Sequence, residues 1–179
     1  YEIENEPNAH HLTPGDYMTI AKSASEALHK GDPDAKVFGM CVTGDFVPWL
    51  KQAFEFDAAG VFDGISIHTY VTPNLPEQAN LRGKLKEVQT LITKTGKAMP
   101  LVNSETGTYV SLREDANSPI SPERLETLIK NGTPGLTVSR GWPNHAVSEQ
   151  SGSISVVRNV VYNFLAGSRL FVFFGWNPE

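Results

Sequence analysis

The sequence predicts an α/β fold with parallel strands, and three observations carry that expectation. Five short apolar runs alternate with four longer amphipathic stretches, the signature of strands separated by helices. A helix-length connection between successive strands lets neighbours run in the same direction. Polar residues also collect at the C-terminal ends of the apolar runs: Asn5 and Glu6, His68 and Tyr70, Asn103 and Glu105, then Trp176 and Asn177.

Taken in order, Tyr1 to Ile3 reads as the end of a strand. Thr13-Pro14-Gly-Asp16 starts a helix, with Thr as N-cap, Pro at the first helical position and an acid in the first turn. Tyr17, Ile20, Ala21, Ala24 and Leu28 then recur at helical spacing, and Gly31-Asp-Pro33 stops the helix. Lys36 to Met40 is a second strand. Phe46, Leu50, Ala53 and Phe54 mark a second helix within residues 46–56. Gly64 to His68 is a third strand. Leu81, Leu85, Val88, Leu91 and Ile92 define a longer helix closed by Gly96, and Pro100 to Ser104 is a fourth strand. Residues 105–150 are rich in Gly, Pro, Ser and Asn, with one short helix expected near Pro122 to Lys130. A last helix carries Ile154, Val157, Val161, Phe164 and Leu165, and Leu170 to Phe174 is a last strand. The strand runs are apolar on both faces, as in a sheet covered by helices.

Two architectures fit this order: an open doubly wound sheet, or part of an eight-fold barrel. The chain has no Gly-x-Gly-x-x-Gly turn and no phosphate loop, which removes the usual nucleotide-binding reasons for an open sheet. In a barrel, the C-terminal strand ends are where catalytic groups collect.

Composition narrows the function. The 179 residues are 40% hydrophobic and 20% charged, with a formal net charge of −5. A mildly acidic chain without a Lys/Arg cluster is a poor nucleic-acid binder. Its longest aliphatic and aromatic run, Leu170 to Phe174, is too short to cross a bilayer. The single cysteine, Cys41, rules out an internal disulfide, a four-Cys zinc site and a Cys-x-x-Cys redox motif; it reads as a small buried apolar residue. His10 and His11 are adjacent, so their side chains diverge, and no third ligand stands at a metal spacing. No metal or other cofactor is expected. The chain opens on a strand-like segment without an initiator Met and reads as a segment of a longer protein.

Glu6 and Glu105 each stand just past a strand, separated by three crossovers. In a barrel such residues point into one mouth. Two carboxyls at one mouth are the minimum machinery for cleaving a glycosidic bond: one protonates the leaving oxygen, and the other attacks or stabilises the anomeric carbon. Closeness helps, because one ionised carboxylate favours the protonated form of its neighbour. The ordinary alternative is a solvated loop charge or a helix N-terminal acid.

The surroundings of Glu6 favour the chemical reading. Tyr1-Glu-Ile-Glu-Asn-Glu-Pro-Asn8 resembles the strand-four motif of glycoside hydrolase clan A, aromatic-Glu-x-x-Asn-Glu-Pro. Phe62-Asp-Gly-Ile-Ser-Ile-His-Thr-Tyr70 is similar to the clan's sixth strand, Leu101-Val-Asn-Ser-Glu-Thr-Gly107 to the seventh and Phe171-Val-Phe-Phe-Gly-Trp176 to the eighth. Within the clan the likeness is to families 39 and 5. The resemblance implies a partial (β/α)8 TIM barrel, strands four to eight with intervening helices. Residues 1–179 would form a single catalytic-barrel segment, with strands one to three absent from this sequence. The N-terminal half of the barrel would then be a required partner.

The roles follow from the same resemblance. It implies that Glu6 is the acid/base and Glu105 the nucleophile of a retaining glycosidase acting on β-linked oligo- or polysaccharides. Asn5 would contact the sugar 2-hydroxyl, and His68 or Tyr70 would bind substrate or hydrogen-bond the nucleophile. Trp176 would floor the sugar site, since an aromatic face stacks on the apolar face of a sugar. By the same analogy the protein would be extracellular or periplasmic. The interval from Glu105 to Trp176 is roughly twice the earlier crossovers. Residues 108–150 are therefore expected to form an inserted active-site loop, with Trp142 and Tyr109 as further sugar contacts. Trp49, on a helix pattern, is assigned to the core. Two rivals remain open at this stage: a carbohydrate-binding barrel without catalysis, and an unrelated open-sheet α/β enzyme.

Overall fold

The structure, a computed structural model, describes residues 1–71, 74–110, 123, 146–147 and 149–173. Its elements in chain order are α1 (Pro14–Gly31), β1 (Phe38–Val42), α2 (Val47–Ala53), α3 (Ala58–Val61), β2 (Gly64–His68), α4 (Leu81–Lys94), β3 (Leu101–Thr106), β4 (Tyr109–Val110), β5 (Ala146–Val147), α5 (Glu149–Leu165) and β6 (Ser168–Phe173). The expected short helix near Pro122 to Lys130 falls, apart from Glu123, outside the described residues.

β1, β2, β3 and β6 form one parallel sheet in that order. The first segment extends it: Glu2 bridges Phe38 in parallel, the Ile3 amide donates to the Phe38 carbonyl at 3.1 Å, and the Phe38 amide donates to the Tyr1 carbonyl at 2.8 Å. The spatial order therefore follows the chain order without a reversal. An open doubly wound sheet reverses at a switch point. A run in one direction with right-handed crossovers puts every helix on the same face, which is the arrangement of consecutive barrel strands. The fold is α/β, a partial (β/α)8 barrel.

The sheet accordingly has two unlike faces, not the doubly covered sheet expected from its apolar strands. Val37, Ile65, Ile67 and Leu101 pack with Leu50, Leu85, Val88 and Ile92 in the core beneath the helices. The opposite face carries a groove lined by Tyr1, Glu2, Phe38, Val102, Ser104, Leu170 and Val172. A second, two-stranded parallel pair, β4 with β5, joins Tyr109 to Ala146 and Val110 to Val147, so the two ends of the 108–150 segment meet.

Local sequence explains the helices. Thr13 Oγ1 accepts the Asp16 amide at 3.2 Å, and Pro14 opens α1. α1 is rotated from its expected face: Met18 and Ser25 are buried with Tyr17 and Ala21, whereas Ile20 is exposed. Ser25 is drawn inward by a bond to the Val61 carbonyl at 2.7 Å. The second expected helix, within residues 46–56, is shorter in the structure, and a separate one-turn helix beyond its expected end follows it. α2 ends at Ala53, and Asp57 caps α3 through the Gly60 amide at 2.9 Å.

The larger departure is in α5. The helix forms, but Val157, Phe164 and Leu165 are 63%, 55% and 75% exposed, and Ile154 and Val161 are exposed too. The inward face carries Ser155, Asn159 and Asn163. Buried polar partners on the strands below, described in the next subsection, outweigh the apolar pattern. Among the described residues no helix is long and apolar enough to cross a membrane.

Tyr17 ties α1 to the sheet. Its ring is fully buried between Trp49, at a centroid distance of 5.3 Å, and Phe62, at 6.2 Å. Its hydroxyl donates to the Ile3 carbonyl at 3.2 Å and accepts the Met40 amide at 2.6 Å. Burial, the nearby Cys41 thiol and neighbouring carboxylates push the phenol above its ordinary range. Trp49, assigned to the core, is half-buried, and its indole donates to the Leu12 carbonyl at 3.0 Å. Tyr17→Phe should lower stability by about 1–3 kcal/mol, because the Met40 amide is left buried without a partner. Denaturant titration of the full-length protein checks this; an unchanged midpoint would mean that the amide finds water.

Candidate active site

The site is assembled at the C-terminal ends of the first segment, β2 and β3. At the first, the chain leaves the sheet in a turn with Glu4 and Glu6 in the left-handed region, φ 62° and 50°. This conformation is costly for residues with a Cβ, and several contacts hold it. The Glu6 amide donates to the Cys41 carbonyl at 3.0 Å, and the Glu6 carbonyl accepts the amides of Ala9 and His10. Asn8 grips the end of β1 from both sides: its Nδ2 donates to the Thr43 carbonyl at 2.8 Å, and its Oδ1 accepts the Thr43 amide at 3.1 Å. β1 itself bulges where it meets the turn, with Met40 and Cys41 at positive φ and the β1–β2 register shifting between Met40 and Val42.

β2 and β3 are in register so that His68 stands opposite Glu105. His68 is buried, and its Nδ1 lies 2.9 Å from Glu6 Oε1. Tyr70 donates its hydroxyl to Glu105 Oε1 at 2.6 Å. Each glutamate thus has a partner from the end of β2, two residues apart. Glu6, His68 and Glu105 each offer an atom within 4.8 Å of the others, so a carboxylate oxygen of Glu6 and one of Glu105 lie within that distance. Both side chains are part-buried. Two carboxylates and an imidazole at this spacing could also share a divalent cation; among the described residues no other group of His, Cys, Asp and Glu is so placed. His10 and His11 are exposed and outside it.

Asn5 is exposed on the same turn as Glu6. Trp142, Trp176 and Asn177 lie outside the described residues, as does most of the 108–150 segment. Cys41 is buried beside the site, and burial together with the Glu2 carboxylate pushes its thiol up to about 12, which suits a packing residue and not a nucleophile.

Asn103 is not at the mouth with Glu6, His68, Tyr70 and Glu105. It is fully buried on the helix side of β3. Its hydrogen-bond partners assign the amide orientation: the nitrogen donates to the carbonyls of Ile67 at 3.0 Å and Glu105 at 2.8 Å, and the oxygen accepts from Asn163 Nδ2 at 3.3 Å. Thr69, Thr106, Asn159 and Asn163 complete a buried polar cluster under the two glutamates. Asn8, Thr69, Asn159 and Asn163 were not singled out from the sequence. The spacing of Ser155, Asn159 and Asn163 at every fourth position of a helix was the available signal.

Solved structures share the fold. The chain superposes over 98% of its length on a glucosidase from Croceicoccus marinus, with a TM-score of 0.61 and 16% identity. It matches an α-L-arabinofuranosidase from Thermotoga maritima, in complex with arabinose, over 98% of its length, with a TM-score of 0.61 and 18% identity. A third match, the GH51 α-L-arabinofuranosidase from Thermotoga petrophila RKU-1, covers 69% of the chain with a TM-score of 0.50 and 21% identity. The chain spans 32%, 33% and 28% of those structures respectively. No protein-family model and no curated protein matches the sequence. These likenesses establish the fold: an α/β sheet segment of the kind found in glycosidase barrels.

Proposed function

We propose that this chain carries the catalytic carboxylates of a retaining glycoside hydrolase that cleaves β-linked oligo- or polysaccharides. The observation that carries the reading is the approach of Glu6 and Glu105 to within 4.8 Å at their nearest ligand atoms. Retaining glycosidases hold their carboxyl groups about 5–5.5 Å apart, whereas inverting ones leave about 6.5–9.5 Å for a water. Glu105 attacks the anomeric carbon while Glu6 protonates the departing oxygen. Glu6 then takes a proton from water, which releases the sugar from Glu105.

The partners fit these roles. The Tyr70 hydroxyl, donating to Glu105 Oε1, orients the carboxyl group for attack. His68 fixes the Glu6 carboxyl in position. Asn5, exposed beside Glu6, is placed to meet the sugar 2-hydroxyl and to bind it more strongly as the ring flattens in the transition state. Trp142 and Trp176, outside the described residues, are the proposed stacking contacts to the sugar. The first three strands of the barrel and their ligands come from the preceding part of the protein. No cofactor is needed for this chemistry.

The superposed structures include a glucosidase and two α-L-arabinofuranosidases, so the substrate test uses aryl β-glucosides, β-xylosides and α-L-arabinofuranosides with the full-length protein. Hydrolysis of a β-glucoside or β-xyloside, lost in Glu105→Ala, supports the reading, and hydrolysis of the α-L-arabinofuranoside alone would contradict the β-linkage. A protein that binds these sugars without turnover would support the binding-barrel alternative. Tyr70→Phe should lower kcat about 10- to 100-fold, the rate equivalent of a hydrogen bond to a charged group. A kcat within about twofold of wild type would show that this bond contributes no transition-state stabilisation.

A further inference from the structure

We propose that Asn159, on the outer helix α5, is a positioning residue that sets both glutamates through one residue, Thr69. This inference rests on the roles of Glu6 and Glu105 given above. Thr69 lies between His68, which holds Glu6, and Tyr70, which holds Glu105. It is buried on the helix side of the sheet, and Asn159 grips it at two points. Asn159 Nδ2 donates to the Thr69 carbonyl at 2.7 Å, and Asn159 Oδ1 accepts from Thr69 Oγ1 at 2.8 Å. The Thr69 amide in turn donates to the Glu105 carbonyl at 3.2 Å. One amide side chain thereby fixes the peptide whose two neighbours contact the two carboxylates.

The rest of the cluster braces that grip. Asn163 Nδ2 donates to Asn159 Oδ1 at 2.7 Å and to its carbonyl at 2.9 Å. Thr106 Oγ1 donates to the Thr69 carbonyl at 3.0 Å. Asn159 and Asn163 are 3% and 0% exposed. Burying amides and hydroxyls gains little stability over apolar side chains of the same shape, yet α5 turns these inward and leaves Val157, Val161 and Leu165 outside. A satisfied buried network is rigid and directional, which is what two carboxylates held at a fixed spacing require.

The test is steady-state kinetics of the full-length protein on dinitrophenyl and nitrophenyl glycosides from the panel above. Asn159→Ala should lower kcat about 10- to 100-fold, the cost of a misplacement of about 1 Å, with KM within about twofold. The loss should be equal for both leaving groups and should not be rescued by azide, because both carboxylates move together. Thr69→Val keeps the shape without the hydroxyl. It should show the same pattern more weakly, and it carries the test if Asn159→Ala does not fold. Leu85→Ala, on the buried face of α4, should lower Tm at least as much and leave kcat unchanged. Wild-type kcat in a folded Asn159→Ala or Thr69→Val protein would overturn the proposal, as would an equal kcat loss in Leu85→Ala. Glu105→Ala separates the two claims. If it is inactive while Asn159→Ala is not impaired, positioning alone fails; if it is active, the two-carboxylate reading fails and this inference with it.

Discussion

Glu105→Ala should abolish turnover of every substrate, and Glu6→Ala should abolish it selectively. The difference lies in what each step needs. Without Glu105 there is no nucleophile, so a better leaving group cannot restore the reaction. Without Glu6 the first step lacks its acid, which matters only when the leaving oxygen is poor. Glu6→Ala should therefore still form the glycosyl-enzyme from dinitrophenyl glycosides while losing about 10²–10⁴-fold on natural glycans, the range for general acid–base catalysis. Azide should then restore turnover, because it attacks the intermediate without a base, and the glycosyl azide should retain the substrate's configuration. In Glu105→Ala, azide can only attack the substrate directly and give the inverted product. The prediction is measured by rates and by the stereochemistry of the azide adduct. Exchanged azide products would swap the two roles. If neither substitution lowered activity by more than about tenfold, the two-carboxylate mechanism would be wrong.

The second large effect concerns residues 1–179 expressed alone. β6 and the Tyr1–Ile3 segment lie at the two ends of the sheet, and an unpaired edge invites pairing with another chain. Leu170, Val172 and Phe173 are exposed on β6 at 49%, 39% and 44%, and the outward stripe of α5 is apolar as well. If the preceding strands complete the barrel, the isolated chain should be oligomeric or molten, with strong ANS binding and no sharp thermal transition. Sedimentation and calorimetry measure this. A monomer with a cooperative melt would count against the need for barrel completion.

How much of this was legible in the sequence depended on whether local pattern or tertiary contact decides each feature. The strands and helices were legible because burial in a parallel sheet imposes its own apolar period, as in Ile65 and Ile67 or Leu85, Val88 and Ile92. Glu6 and Glu105 were legible because each stands near the C-terminal end of a strand segment in a recognisable context, Glu105 within the last residues of β3 rather than past it. The inward face of α5 was not. Its apolar residues have helical spacing, and only the buried amides and hydroxyls of Asn103 and Thr69 below explain why Asn159 and Asn163 turn inward. The Met40–Cys41 bulge was equally hidden. Nothing local demands positive φ there, and it arises where β1 must meet both the Tyr17 hydroxyl and the Glu6 amide. Asn8 looked like a motif flank and is the clamp that fixes the turn to Thr43.

The most direct test of the central claim is NMR of the first-formed anomer during hydrolysis of a β-linked substrate by the full-length protein, recorded before mutarotation. Two displacements at one carbon, first by Glu105 and then by the water that Glu6 activates, predict that the β-anomer appears first and the α-anomer only as mutarotation proceeds. Initial release of the α-anomer would mean a single displacement by water, and would contradict the assignment of Glu105 as nucleophile.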